Sequence, residues 1–509
     1  MQKSKVITAE EAAALVKSGS TLAISGSGGG VGEPTALMRA LGERYAGEAN
    51  PKDLTLVHAT GLGDQDTIGN DLLAYEGLVK RNVAGHLGMA PKMARLISEN
   101  KLEAYNFPQG VLCHMFAAVA GKKPGVITKV GLNTYIDPRL EGGKMNDITK
   151  EDLVKVVEFD GEEWLYWKRF HFDVAFIRGT TADELGNISS EEEGALLEGI
   201  HVAQAVRNCG GIVIAQVKYL AEAGTLDPMQ VRIPGIYVDH IVVDPEQKQT
   251  TLDQFNPAYN GRVRIPMASI KPRPLDAKKV ISRRAAEELF DGAVVNLGFG
   301  VPDGIAAVAA EEGILDKFTL TVEQGAVGGQ PVGGIIFGVA YNPQAVISEL
   351  DQFSFYDGGG LDVAYLGMAQ TDRHGNVNTS KVGNRLTGCG GFINITQNAK
   401  KVIFCGTFTT KGFRATVGGG KIDIDQEGEI HKFVQDVDQV TFSGEYAGRL
   451  AQPVLYVTER AVFELTTDGT VRLVEIAPGI DLKKDILEKM DFTPEIAEPL
   501  AEMDARFFS

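Results

Sequence analysis

The stretches Phe172-Asp-Val-Ala-Phe176 and Leu361-Asp-Val-Ala-Tyr365 decide the fold, because they are two copies of one local pattern. In each, an aspartate opens a short apolar run, a second aspartate follows (Asp183, Asp372), and a Gly-Asn pair closes it (Gly186-Asn187, Gly375-Asn376). Asp173, Asp183 and Gly186 all return 189 residues later without a gap, and the same spacing lays Val213-Ile214 on Val402-Ile403. Agreement at a fixed offset over so many positions marks an internal duplication.

Working outward, a second repeat precedes each copy. Near the start, Thr8 caps a helix and Glu11, three residues on, completes a capping box. That helix is expected to end at Gly19, with an apolar strand at Thr21–Ile24 running into Ser25-Gly-Ser-Gly-Gly-Gly-Val-Gly-Glu-Pro34. Later, Lys279-Val-Ile-Ser282 opens the same series: Ser282 is the expected cap, Gly292 the stop, Ala293–Asn296 the strand and Gly298-Phe-Gly-Val-Pro302 the glycine loop. The join falls at 267–276, where Ile-Lys-Pro-Arg-Pro denies helix and strand their hydrogen bonds. The reading is an α/β protein of two homologous open-sheet domains, 1–266 and 277–509, with 267–276 as linker. In open sheets of this kind ligands sit at the carboxyl ends of strands. The two glycine loops therefore place the active site in the cleft between the domains. Further on, Val454–Val457 reads as a strand and 494–509 as a closing helix.

A chain of 509 residues exceeds one core, in keeping with two domains. Its 50 basic and 67 acidic residues leave a net charge of −17, which disfavours nucleic acid and anionic membranes as partners. No apolar run approaches a membrane span, and the first residues lack the apolar core of a signal peptide. The four cysteines, Cys113, Cys209, Cys389 and Cys405, are too scattered for a metal or redox motif, so reduced thiols and a cytoplasmic location are expected. No metal site is expected either. His86 and His374 lack a second ligand at metal spacing and read as turn or packing residues, and Asp183 and Asp372 as turn residues.

The loop at 25–34 could offer backbone N–H groups to an anion, as Gly28 and Gly29 would. It could also be a dinucleotide loop or a set of tight turns. Its spacing is loose for the dinucleotide fingerprint, and no nucleotide P-loop is present. The most informative segment is Thr319-Leu-Thr-Val-Glu-Gln-Gly-Ala-Val-Gly-Gly329: an apolar strand ends in one carboxylate, Glu323, and then in glycines. Gly325, Gly328 and Gly329 are read as clearing space for a bulky ligand to approach it.

Around Glu323 the sequence resembles the homo-oligomeric coenzyme A transferases, the family that includes propionate CoA-transferase and bacterial acetate or acetoacetyl CoA-transferases. The E-x-G-x-x-G-G element at Glu323 is where that family carries its catalytic glutamate. Further matching stretches are 86–92, 103–110, 130–139, 356–362 and Gly388-Cys-Gly-Gly-Phe392, and the likeness runs from Lys5 to about Phe408. The resemblance implies Glu323 as nucleophile, Gly390 and Gly391 as oxyanion donors, and Gln109 near the acyl group; the reading of the 25–34 loop adds Gly28 and Gly29 as alternative oxyanion donors and substrate-binding candidates. Gly298, Gly300 and Pro302 would meet coenzyme A, which acts as a substrate held covalently as a glutamyl thioester, with no tightly bound cofactor. The implied partners are acyl-CoA, short-chain carboxylates, and other copies of the chain in a dimer or tetramer. Three other readings stay open: an acyl-CoA hydrolase on the same site, a nicotinamide-dependent oxidoreductase using 25–32, and a non-catalytic acyl-CoA-binding protein. Cys389, inside the glycine motif, ranks far below Glu323 as a nucleophile because nothing cationic adjoins it in sequence.

Overall fold

The computed structural model describes residues 4–266 and 273–509, so of the expected linker only 273–276 falls within the described residues. In the first half, seven strands form one parallel sheet: β1 Thr21–Ile24, β2 Leu54–His58, β3 Val79–Ala84, β4 Glu103–Asn106, β5 Val174–Arg178, β6 Ile212–Val217 and β7 His240–Val243. Their spatial order is β7-β6-β5-β1-β2-β3-β4. The strands are near-continuous apolar runs, with Leu22, Ala23 and Ile24 fully buried, as a sheet covered on both faces requires.

In the second half, ten strands form the main sheet: β8 Val294–Leu297, β9 Thr319–Thr321, β10 Ala326–Val327, β11 Ala345–Val346, β12 Val363–Gly367, β13 Val402–Cys405, β14 Val454–Val457, β15 Ala461–Leu465, β16 Val471–Ile476 and β17 Glu495–Glu502. They lie in the order β11-β10-β9-β8-β12-β13-β14-β15-β16-β17. The middle of this sheet, β9 to β14, is parallel and repeats the first sheet: β5 lies between β1 and β6 as β12 lies between β8 and β13.

The duplication extends to single hydrogen bonds. Asp173 takes the Thr21 N–H at 2.8 Å, and Asp362 takes the Val294 N–H at 2.8 Å, so each repeat's first aspartate latches the neighbouring strand. The second aspartates close identical turns. Asp183 accepts from the Asn187 backbone at 2.9 Å and side chain at 3.0 Å; Asp372 accepts from Asn376 at 3.0 Å through both groups. These aspartates do act as turn residues, through their side-chain oxygens.

The helices include α1 Ala9–Leu15, α2 Gln109–Ala120, α3 Gly199–Cys209, α4 Ala277–Ala286, α5 Glu349–Asp357 and α6 Phe392–Asn398, of which α2 and α6 reach the site. The capping box on α1 forms as read from Thr8 and Glu11. Two expectations fail. Asp276 caps α4 by taking the Lys279 N–H, while Ser282 lies within the helix and bonds back to the Lys278 carbonyl at 3.0 Å. Residues 494–509 form β17 and a short 3-10 turn, because β17 pairs in parallel with β16 and this pairing overrides an Ala- and Glu-rich helical composition.

The halves are not separate packing units. One apolar core joins Phe116 and Phe172 of the first to Phe353 and Ile393 of the second, and a further core lies beneath the second sheet. Polar groups cross the same seam. Asn106, at the end of β4 and fully buried, donates to the carbonyls of Ala84 and Gly85 at 2.7 Å each and accepts from Cys389 N–H at 2.8 Å and from the Tyr135 hydroxyl. Gly390 N–H bonds Gly85 O at 2.7 Å, and Gly390 O accepts from Gln109 N–H at 2.9 Å. Replacing Asn106 by Ala strands these partners in a dry interior. The expected loss is about 3 kcal/mol, a drop in melting temperature of about 3 °C by scanning calorimetry. An unchanged Tm would show that the seam does not depend on this side chain.

Candidate active site

The seam opens into a cleft of about 500 Å³ between the halves, walled by the loop after β1, the loop after β3, the start of α2, the ends of β8 and β9, and the segment leading into α6. Among the described residues, Glu323 is the one acidic side chain on this wall. It stands two residues past β9, in a tight hairpin closed by Gly325 N–H to Val322 O and Val322 N–H to Ala326 O, both 2.9 Å. Gly325 has φ of +109°, and a Cβ there would lie 2.1 Å from Ile347 O. A Cβ on Gly329 would lie 2.2 Å from Tyr341 O. The three glycines after Glu323 therefore let the returning backbone pack against the hairpin. They are not on the cleft wall, which corrects the expectation that they clear space for a ligand.

Glu323 itself is half-buried, with Oε2 shielded and without a hydrogen-bond partner. Burial pushes its carboxyl up to about 7. The neighbouring Glu349 carboxyl adds to the rise, and the residue's own backbone N–H and the Asn296 amide oppose it. Asn296, fully buried at the end of β8, also has an unpartnered Oδ1. Tyr356 bridges the floor of the site by donating to Thr321 Oγ1 at 2.8 Å.

Of the residues picked from sequence, Glu323, Gln109, Gly28, Gly298, Gly390 and Gly391 line this one cleft, whereas Gly29, Gly300 and Pro302 do not. Gly29 instead packs against the opposite half: a Cβ there would fall 2.4 Å from Ile335 O. The two oxyanion candidates also differ. The Gly390 N–H is already donated to Gly85 O, whereas the N–H groups of Gly391 and Gly28 have no acceptor among the described residues.

Sequence reading passed over four contributors. His86 is a wall residue, not merely a packing one. It is half-buried with Nδ1 unpartnered, and burial lowers its pKa to about 4, so it stands neutral at the cleft. Asn296 would have shown only as a polar residue ending an apolar strand. Glu198 and Glu349, both 0 % exposed, carry no local signal at all. Cys389 lies on the wall, but burial pushes its thiol up to about 12, so it is not a thiolate at neutral pH. No group of three metal-binding side chains occurs among the described residues. No helix among them is long and apolar enough to cross a membrane.

Duplicated open-sheet halves closing on one half-buried carboxylate, with undonated backbone amides on the same cleft wall, suit an acyl-group transfer enzyme. The chain belongs to the coenzyme A transferase family and is a CoA-transferase. The Coenzyme A transferase family matches residues 6–244. Caffeate CoA-transferase of Acetobacterium woodii is 47% identical over 99% of this chain and 97% of its own length. Acetate CoA-transferase YdiF of Escherichia coli K12 is 46% identical over 99% and 95%. The crystal structure of the E. coli O157:H7 acyl-CoA transferase YdiF as a thioester complex with CoA superimposes with a TM-score of 0.94. It is 45% identical and covers 100% of this chain and 96% of that one.

To serve as the nucleophile expected from the sequence, the Glu323 carboxylate must be ionised. With its proton held to about pH 7, the Glu323 anion is the minor form below that pH and the major form above it. The profile of kcat/KM for acyl-CoA should thus climb tenfold per pH unit below about 7 and level off above it. A limb at the ordinary carboxylate value near 4.3 would contradict the burial described here.

Proposed function

We propose that the chain transfers CoA between short-chain acyl-CoA thioesters and free short-chain carboxylates through a covalent glutamyl-CoA thioester on Glu323. The supporting observation is the position of Glu323, the one carboxylate on a cleft wide enough for a pantetheine arm. A Glu323 carboxylate oxygen attacks the thioester carbonyl, the C–S bond breaks, and the CoA thiolate leaves a mixed anhydride. The thiolate then attacks the glutamyl carbonyl, the anhydride C–O bond breaks, and the first carboxylate departs. An incoming carboxylate runs the same steps backward, so kinetics are ping-pong. One thioester replaces another and no proton is gained or lost, so no nucleotide need be consumed.

The Gly391 and Gly28 amides are the donors for the oxyanion of each tetrahedral intermediate, each worth about 3 kcal/mol. Gln109 and the neutral His86 meet the acyl group, and Gly298 with the exposed Phe299 meets the pantetheine arm. A short monocarboxylic acid fits the acyl end, where Gly390 stands beside the Gln109 Oε1 and the His86 ring. Assembly into a dimer or tetramer and a cytoplasmic location belong to the same reading.

Treatment with acyl-CoA and then borohydride should reduce a thioester at Glu323, seen by peptide mass spectrometry. Glu323→Gln should lose the adduct and at least about 10³-fold of transfer activity. An active variant without adduct would sink the mechanism. CoA released without any acyl product would indicate a hydrolase, and saturable NADH binding an oxidoreductase. Among acceptors, acetate and propionate should exceed caffeate by about tenfold or more in kcat/KM, a pocket-shape difference of about 1.4 kcal/mol. The reverse order would make the acid an aromatic one.

A further inference from the structure

Gln109 begins α2 and is 3 % exposed, with its main chain fixed from the opposite half by the bond to Gly390 O. Its side-chain Nε2–H is donated to Glu349 Oε1, and its own Oε1 is left at the cleft beside Gly390. Glu349 begins α5 and meets Glu198, the residue capping α3, side chain to side chain. Their segments are joined again where Glu349 N–H bonds Leu197 O at 3.1 Å. Cys113, one turn beyond Gln109 on α2, offers its thiol to the same Glu349 carboxyl.

Both carboxyls are 0 % exposed, and both Glu198 oxygens and Glu349 Oε2 lack any conventional donor. No lysine or arginine contributes to either environment. Two carboxyls in contact, away from water and without a cation, cannot both ionise, so the pair holds a proton between them. Whichever carboxyl carries that proton, the Glu349 oxygen facing Gln109 keeps a lone pair and is an acceptor. It binds the amide N–H and thereby turns the amide oxygen toward the cleft. An apolar side chain at 349 would leave the amide free to rotate.

We propose that Glu349, braced by Glu198, is a positioning residue for the acyl end of the site, fixing which face of the Gln109 amide the bound acyl group meets. This rests on the placement of the acyl group at Gln109 given above. Neither glutamate touches the cleft, so Glu349 acts through Gln109.

A double-mutant cycle of Gln109→Ala and Glu349→Ala tests it, with steady-state kinetics, CoA affinity and melting temperature measured for each. Each single variant should lower kcat/KM for the carboxylate by about 10- to 100-fold, with CoA affinity held within about twofold. The double variant should fall no more than about threefold below Gln109→Ala, since one route has been cut twice. Costs that multiply would overturn the proposal. Should Glu349→Ala not fold, Glu349→Gln decides, because it keeps an oxygen for the Gln109 amide and cannot titrate. It should retain activity within about threefold, with the acidic limb of kcat/KM moved to lower pH because the charge that raises the Glu323 pKa is gone. The other groups facing the pair stay in place: Glu198 and His201 from α3, Cys113 and His114 from α2, Asp351 and Asp357 from α5, and Glu323 itself. An unmoved limb, or activity as low as that of an Ala substitution, would refute the role. Absence of the Glu323 adduct in the unaltered enzyme would sink the parent mechanism; an adduct with an additive cycle sinks this proposal alone.

Discussion

Taking a carboxylate out of water is costly, and everything around the cleft follows from where that cost is placed. In water a carboxylate is a poor nucleophile toward a thioester, because hydration must be shed before it can attack. Burial at Glu323 removes part of that hydration in advance, and the raised pKa is the visible sign of it. The anion survives at neutral pH because its backbone N–H and Asn296 offer partial compensation without a counter-ion. A lysine or arginine in contact would have lowered the pKa and held the oxygen fast. Among the described residues none pairs with Glu323, although Arg385 stands on the same cleft wall.

Only one half kept this group. The register Leu22 on Val174 and Val295 on Val363 makes β1 and β8 equivalent, and from there Thr55 matches Thr319. Counting four residues along each strand sets Ala59 opposite Glu323. Where the second half has an acid, the first has an alanine whose carbonyl closes on Gly85: a Cβ at Gly85 would lie 1.9 Å from it. The duplicated frames thus divide the work. One supplies the carboxylate, and the other supplies close-packed backbone and the helix that carries Gln109. The aspartate latches, by contrast, persist in both halves, since each sheet needs its strand ends paired regardless of chemistry.

How much of this could be read in the sequence depended on whether the cause was local. The repeat was legible because strand periodicity and turn-forming Asp-Gly-Asn spacing are short-range properties. Glu323 was legible for the same reason: a strand, an acid and glycines lie within eleven residues. The glycines themselves were misread, because the carbonyls that exclude a Cβ come from Tyr341 and Ile347, on another strand segment. Ser282 imitated Thr8 as a cap in the matching Lys-Val-Ile context, although the helix begins six residues earlier at Asp276. The tail has helical composition and becomes a strand only because β16 offers it an edge. Glu198 and Glu349 were beyond reach: each sits at a helix start, where acids are common and usually solvated. Their burial is a fact of how three helices meet.

The same electrostatic logic orders the proposed cycle. Before reaction the described cleft wall holds one negative charge, on Glu323, in surroundings that penalise it, with Arg385 elsewhere on the same wall. Once the glutamyl thioester forms, that charge has left with the departing carboxylate, and the described wall carries no anion when the next carboxylate enters. An acceptor anion is therefore admitted at the one stage when no like charge opposes it. Burial that destabilises the free Glu323 anion relative to its uncharged thioester favours loading the enzyme. The proton shared by Glu198 and Glu349 keeps that pair to a single charge behind the cleft. A described wall with one carboxylate, rather than two, is what lets acid replace acid with so little change in the energy of the site.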